Sequence, residues 1–239
     1  MVRRIILAIL VVVVILLAAA VIWAAFIRED APEAFELSET TDAGGETTDE
    51  SADTGDTGDT GGTVEGLDGT WNVSSGSEAG YRVVEDLGNV LDFEAVGRTS
   101  QVTGAITIEG TTVTAGSFEV DVASISSDDG RRDGQFQGNI MNTAEFPTAT
   151  LVLTAPIELG AVPAEGTPIA VDGTGQLTLR GATNDVQFPI EAQLVGDSIE
   201  LVASVDVLFS DYGIANPSNP IAQVRDEGKV EVFLKLAQG

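Results

Sequence analysis

Carboxylates and arginines are the side chains with which this chain could do chemistry, because it has neither histidine nor cysteine. That composition excludes Ser-His-Asp and Cys-His nucleophile systems, disulfides, and zinc sites built on Cys or His. Asp128, Asp129 and Asp133 form an acidic cluster, and paired acids can carry out acid–base catalysis. They lie in a polar segment, which predicts solvation rather than the burial that raises the pKa of a carboxylate. We therefore do not expect an enzyme, and no residue pattern predicts a cofactor.

The chain is strongly acidic, with a formal net charge of −27. The stretch from Thr70 to Gly239 alone contains 24 acidic and 8 basic residues. Phosphate backbones would be repelled by such a surface, so nucleic acid is not an expected partner. Self-repulsion and solubility explain the charge most simply, whereas adaptation to salt or a cationic partner is the alternative.

An uncharged segment of 23 residues, Ile5 to Ile27, follows Arg3 and Arg4. As a helix it would be about 34 Å long, enough to cross a hydrocarbon core of about 30 Å. We predict a transmembrane anchor at residues 1–28, with the N-terminus cytoplasmic and the rest extracytoplasmic at the cell membrane. The alternative is a cleaved signal peptide, for which Ala18-Ala19-Ala20 could provide the cleavage site.

Residues 29–69 are rich in Glu, Asp, Thr and Gly and contain the low-complexity run TGDTGDTGG from Thr54 to Gly62. Such a segment cannot bury enough apolar surface to offset its ordering entropy, so it predicts a disordered linker. Repeated aspartates also occur in calcium-binding repeats, but the run lacks the periodic large apolar residue that those repeats pack into a core.

From Thr70 onward the strand period of two dominates, with one apolar and one mostly polar face. This alternation predicts an all-β antiparallel domain at residues 70–239, of about eight or nine strands and either barrel or sandwich in form. The predicted strands are Tyr81–Glu85, Asn89–Ala95, Val102–Glu109, Thr111–Asp121, Thr148–Thr154, Ile169–Leu179, Val186–Leu194, Ile199–Phe209 and Val230–Leu236.

The segment Ser126–Asn142 interrupts this alternation and predicts one short helix. Asp128 and Asp129 stand at its expected start, and Phe136, Ile140 and Met141 are spaced for one apolar face. A second irregular stretch, Ser210–Asp226, precedes the last strand.

Two motifs carry a family resemblance. The first is RRDGQFQGNIMN, from Arg131 to Asn142, followed by EFPTATLVL from Glu145 to Leu153; the second is GQLTLRGATNDV, from Gly175 to Val186. In this order they resemble the YceI-like family, over roughly Thr70 to Leu236. The resemblance implies a lipocalin-like barrel that binds a long apolar lipid, such as a polyisoprenoid, and it favours the barrel over the sandwich.

An eight-stranded barrel has room for packed side chains or for one elongated ligand. We therefore take the inward-facing apolar positions as candidate ligand-binding residues, although each could equally be an ordinary core residue. They are Phe118, Val120, Leu151, Leu153, Leu177, Leu179, Phe188, Ile190, Leu201, Val205 and Phe209.

The polar candidates are Arg132, Asp133 and Gln135 in the first motif. Gln135 stands where the family motif has a histidine; it can donate and accept hydrogen bonds but cannot titrate near neutral pH. The alternative for Arg132 and Asp133 is that they brace the short helix. Together with the uncharged N-terminal segment, the resemblance implies a membrane-tethered lipid-binding barrel; a structural or protein-interaction barrel lacking a cavity is the alternative.

Overall fold

The computed structural model describes residues 31–39, 66–86, 92–218 and 223–239. The predicted anchor at 1–28 and most of the predicted linker lie outside the described residues. Within these ranges, no helix has both the length and the apolar character needed to cross a membrane.

Twelve strands form one antiparallel sheet in the described part of the chain. They are β1 (Gly69–Val73), β2 (Glu78–Asp86), β3 (Asp92–Thr99), β4 (Val102–Glu109), β5 (Thr112–Asp121), β6 (Thr148–Leu153), β7 (Ile157–Glu158), β8 (Ile169–Leu179), β9 (Ala182–Val195), β10 (Ser198–Leu208), β11 (Gln223–Val224) and β12 (Glu227–Gln238).

The sheet closes into an eight-stranded barrel because β12 pairs with β10 on one side and with both β1 and β2 on the other. β1 and β2 act as two halves of one bent strand, and β3 and β4, which pair with β2 and β1, act as two halves of the next. The circuit continues through β5, β6, β8 and β9 back to β10. Closure pairs the backbone groups that an open sheet would leave exposed at its edges.

The strand register carries one inward-facing row around the barrel. Antiparallel partners place their side chains on the same face of a sheet, so pairing transmits the inward direction from strand to strand. Phe118 on β5 pairs with Leu151 on β6, which pairs with Leu177 on β8. Across the barrel, Val205 on β10 pairs with Val230 on β12, which pairs with Tyr81 on β2.

A short helix, α1 (Gly130–Gln135), continues into a π-helical turn at Phe136–Ile140. Asp129 caps the helix by accepting a hydrogen bond from the backbone N–H of Arg131 at 2.8 Å. Phe136 and Met141 are buried and Ile140 packs against the same cluster of core residues. The predicted helix start and apolar face are therefore confirmed.

The alternation correctly located most strands. The structure corrects the start of the barrel, the bounds of one strand and the disorder predicted for one segment. The barrel begins before Thr70, since β1 starts at Gly69 and Leu67 is buried, accepting a hydrogen bond from the Trp71 indole at 2.8 Å. The strand predicted at Asn89–Ala95 runs instead over Asp92–Thr99. Disorder was also predicted for the whole linker at residues 29–69, yet Ser38 within it hydrogen-bonds to Glu200 on β10.

Candidate functional site

The barrel interior contains two cavities of about 140 Å³ each. The first, here called the apolar cavity, is lined almost wholly by hydrocarbon, because the inward row of the central strands consists of aliphatic and phenyl side chains. Nine of the sequence-predicted residues line it: Phe118, Val120, Leu151, Leu153, Leu177, Phe188, Ile190, Leu201 and Val205.

The second cavity, here called the helix-side cavity, lies against α1 and the π-helical turn. Phe136, Ile140 and Met141 from this segment line it, so the short helix closes one end of the barrel with its apolar face. The remaining predicted apolar residues, Leu179 and Phe209, also belong to its wall. All eleven apolar candidates therefore border interior space, while their binding of a ligand stays a prediction.

Three residues, Val120, Ala149 and Val230, line both cavities and so mark the boundary between them, here called the neck. Ala149 pairs with Val120 in the β5–β6 register, so their side chains are neighbours on the inward face. An engineered apolar cavity of about 150 Å³ in another protein holds one benzene molecule. One cavity alone is thus too small for a long lipid chain, whereas a chain passing through the neck could use both.

The structure separates the three polar candidates. Arg132 borders the helix-side cavity, but its guanidinium also pairs with Asp128 and donates to Ser127 Oγ at 3.3 Å. Asp133 lies outside both cavity walls, where its carboxylate accepts hydrogen bonds from the backbone N–H and the hydroxyl of Ser127 at 2.8 and 2.7 Å. Gln135 is exposed. Asp133 braces the helix, as the alternative interpretation held, and neither it nor Gln135 borders a cavity.

Tyr81 and Glu85 are polar residues of the helix-side cavity that sequence reasoning did not single out. They lie four residues apart on β2, so the strand period places both on the inward face. The alternation within the predicted strand Tyr81–Glu85 was the sequence signal that could have identified both residues as inward-facing. The ring of Tyr81 stacks on Phe136, with centroids 4.7 Å apart. Arg132 Nε lies 4.0 Å from Glu85 Oε1, so this end of the interior has paired charges as well as a phenol.

The Tyr81 phenol is held in its neutral form. Burial raises the pKa of Tyr81 from 10.0 to about 12, and the nearby carboxylates of Asp133 and Glu85 also raise it. The Arg132 guanidinium acts in the opposite direction, without outweighing burial. At neutral pH the Tyr81 hydroxyl thus keeps its proton and can act as a hydrogen-bond donor at this cavity wall, where the Ser127 side chain is one hydrogen-bond partner.

A protein-family model described as the YceI-like domain matches residues 71–236, more than half of the chain. A search of curated proteins found no match.

Two solved structures share the fold. The polyisoprenoid-binding domain from Saccharophagus degradans, implicated in plant cell wall breakdown, aligns with a TM-score of 0.55 at 16% identity, covering 71% of this chain and 98% of its own. Burkholderia cenocepacia BcnA aligns with a TM-score of 0.51 at 20% identity, covering 66% of this chain and 95% of its own. The family model and the closed antiparallel barrel lead to the same conclusion: this chain belongs to the YceI-like family.

Proposed function

We propose that this chain binds a long apolar lipid, such as a polyisoprenoid, in the barrel interior, and that it does so tethered to the outer face of the cell membrane. The observation that carries the proposal is the pair of cavities inside a closed barrel, which share Val120, Ala149 and Val230 as lining residues. The polyisoprenoid-binding domain of Saccharophagus degradans shares this barrel fold.

Burial of hydrocarbon supplies the binding free energy in this proposal. Each methylene removed from water contributes about 0.8 kcal/mol, so a few isoprene units are sufficient without any charged contact. The apolar cavity offers almost no polar partner, which favours a hydrocarbon tail there over a polar ligand.

The helix-side cavity suits the polar end of the same lipid. Tyr81 can donate a hydrogen bond, and the charges of Arg132 and Glu85 already compensate one another across 4.0 Å. A neutral hydroxyl or carbonyl therefore fits this end better than a second negative charge would. Specificity then comes from a few polar groups at one end of an apolar site.

Binding rather than catalysis is supported by the roles of the clustered acids. Asp129 caps α1, Asp128 pairs with Arg132, and Asp133 accepts hydrogen bonds from Ser127. Each carboxylate serves the helix. The tether rests on the sequence: the uncharged segment Ile5–Ile27 and the preceding arginines support an anchor with the barrel outside.

Native mass spectrometry of the full chain tests the proposal. The protein is expressed in a lipid-containing host, extracted in a non-denaturing detergent and then incubated with polyprenols, quinones and fatty acids. A discrete extra mass that extracts into organic solvent supports the carrier and identifies the ligand class. Protein that stays bare with every lipid refutes it and favours the alternative, a structural or protein-interaction barrel.

A further inference from the structure

Residues 34–39, here called the clip, lie along the outer wall of the barrel. The backbone N–H of Ser38 donates to Glu200 Oε2 at 3.3 Å, and its hydroxyl donates to Glu200 Oε1 at 3.2 Å. Gln193 returns a hydrogen bond from Nε2 to the Ser38 carbonyl at 2.9 Å. Ser38 is thus bound through its N–H, its hydroxyl and its carbonyl to side chains more than 150 positions away.

Beneath Ser38, the outer wall of the barrel carries a row of polar side chains, two of which are buried although they face outward. Gln193, Glu200 and Lys235 are register partners on β9, β10 and β12, and they face outward because Ile199 and Leu201 on either side of Glu200 line the apolar cavity. Yet Gln193 and Glu200 are each only 2% exposed. A carboxylate removed from water needs several hydrogen-bond donors, and Lys235 Nζ at 2.9 Å provides one in addition to the two from Ser38.

An aromatic contact holds the other end of the clip. The ring of Phe35 stacks on Phe233 of β12, with centroids 6.2 Å apart and planes 29° apart. The guanidinium of Arg98 lies over the ring of Phe35, 3.9 Å from the ring centroid. The same guanidinium also forms a salt bridge with Glu231 at 3.2 Å. A cation–π contact of this kind contributes stabilisation beyond the burial of the ring, and the contribution is larger when the contact is shielded from water.

The clip site is therefore the outward set Arg98, Gln193, Glu200, Phe233 and Lys235. Of these, only Gln193 borders a cavity, so the clip is built on the outer wall rather than at the lipid site. The site holds Phe35 and Ser38, which lie three positions apart in the chain.

We propose that the clip shortens the tether, an inference that rests on the membrane anchor of the proposed function. From Ile27, where the uncharged segment ends, to Ala34 there are seven residue steps, which span at most about 25 Å. Without the clip, the tether would run 42 steps to Gly69 and span up to about 150 Å when extended, or about 36 Å root-mean-square as a flexible chain. The clip thus keeps the barrel wall beside the lipid source, and residues 40–65 join two points of one barrel instead of adding length.

The test uses the full chain reconstituted in phosphatidylcholine–phosphatidylglycerol vesicles. Because the protein lacks cysteine, a single Ala170→Cys substitution gives one attachment site for a fluorescent donor. Ala170 is an exposed residue of β8, and the acceptors are placed on lipid headgroups. The double variant Phe35→Ala/Ser38→Ala removes both ends of the clip, while Glu36→Ala, an exposed position between them, is the matched control.

Energy transfer to the headgroups is expected to fall by about half in the double variant and to stay unchanged in the control, because the tether lengthens only in the former. Amide exchange supplies an independent readout: the backbone N–H at position 38 should exchange about tenfold faster in the double variant than in the unmodified chain. If the chain is anchored but energy transfer is the same in the double variant, and the Ser38 amide of the unmodified chain already exchanges fast, the clip is refuted while the membrane anchor stands. A chain that does not float with vesicles refutes the anchor, and with it the shortened tether, even if the Ser38 amide is protected.

Discussion

Enlarging the side chain at the neck should weaken the binding of long lipids selectively. Ala149 lines both cavities and is 9% exposed, so Ala149→Leu places three additional carbon atoms where the cavities meet. If one ligand chain passes the neck, those carbons displace about three methylenes of ligand. At about 0.8 kcal/mol each, the loss is about 2.4 kcal/mol, which corresponds to about 50-fold weaker binding.

A short isoprenoid that fills one cavity should lose little, because it never passes the neck. The assay is displacement of a fluorescent lipid from the full chain, with dissociation constants compared for a long polyprenol and for prenol, whose single isoprene unit is about the size of the benzene molecule that such a cavity holds. Ala170→Leu makes the same change at an exposed position of β8 and controls for added hydrophobicity.

If the substitution weakens the binding of both ligands equally, the passage of a ligand chain through the neck is refuted, since the result would indicate a general disturbance of the barrel. Overpacking costs typically about 1–3 kcal/mol of stability, so thermal unfolding of the variant is measured in parallel. Unchanged affinity for both ligands would equally refute the reasoning, because it would show that no ligand chain passes Ala149.

Three further predictions concern stability and titration. Burial by itself would raise the pKa of Glu200, but hydrogen bonds from Lys235, Ser38 and Gln193 hold it below its ordinary value of 4.5. Its stabilising contribution should be complete above about pH 4.5 and lost as the pH falls through the folded-state value; Glu200→Gln should flatten this acid limb in urea unfolding curves, and an unchanged limb would contradict the assignment. The pKa of Tyr81 is raised to about 12, so the neutral phenol stabilises the fold below pH 10, and this contribution is lost as the pH rises through 12. Absorbance titration should show tyrosinate appearing later in the folded than in the denatured chain, with Tyr81→Phe removing the step near pH 12; a step near pH 10 that Tyr81→Phe removes would be inconsistent with the burial of Tyr81. Gly181 has φ of +78° in the β8–β9 turn, and a Cβ there would lie 2.6 Å from the Phe146 ring, so Gly181→Ala should destabilise the fold by about 1–2 kcal/mol or more. Gly134→Ala, in α1 with no atom within 4 Å of the added Cβ, should instead be neutral or stabilising by up to about 1 kcal/mol in the same assay; equal effects would refute the steric argument.

Strands with unbroken alternation were predictable from the sequence, and short or bent ones were not. β4 was predicted at its observed bounds, Val102–Glu109, because its apolar residues recur at every second position. β1, β7 and β11 have only five, two and two residues, which is too short for an alternation that would reveal them. Their pairing depends on neighbours distant in the chain, such as Trp71 on β1 opposite Gln238 on β12.

The candidate site was predictable to the extent that it follows from period and register. Eleven apolar candidates line interior space because inward direction is a property of alternation. Asp133 and Gln135 were chosen from the family motif, and whether a motif residue faces a cavity depends on how the helix docks on the barrel. Helix docking placed Arg132 at the cavity and turned Gln135 to solvent.

The sequence by itself determined the all-β character, the inward row and the short helix, since each follows from local periodicity, capping and composition. Only the tertiary structure decided that the interior divides at Ala149, because a neck depends on which side chains meet across the barrel. It also decided that an acidic, low-complexity region contributes a bound segment. Ser38 is ordered by Glu200 and Gln193, and partners more than 150 residues away cannot be read from the composition of the segment that binds them.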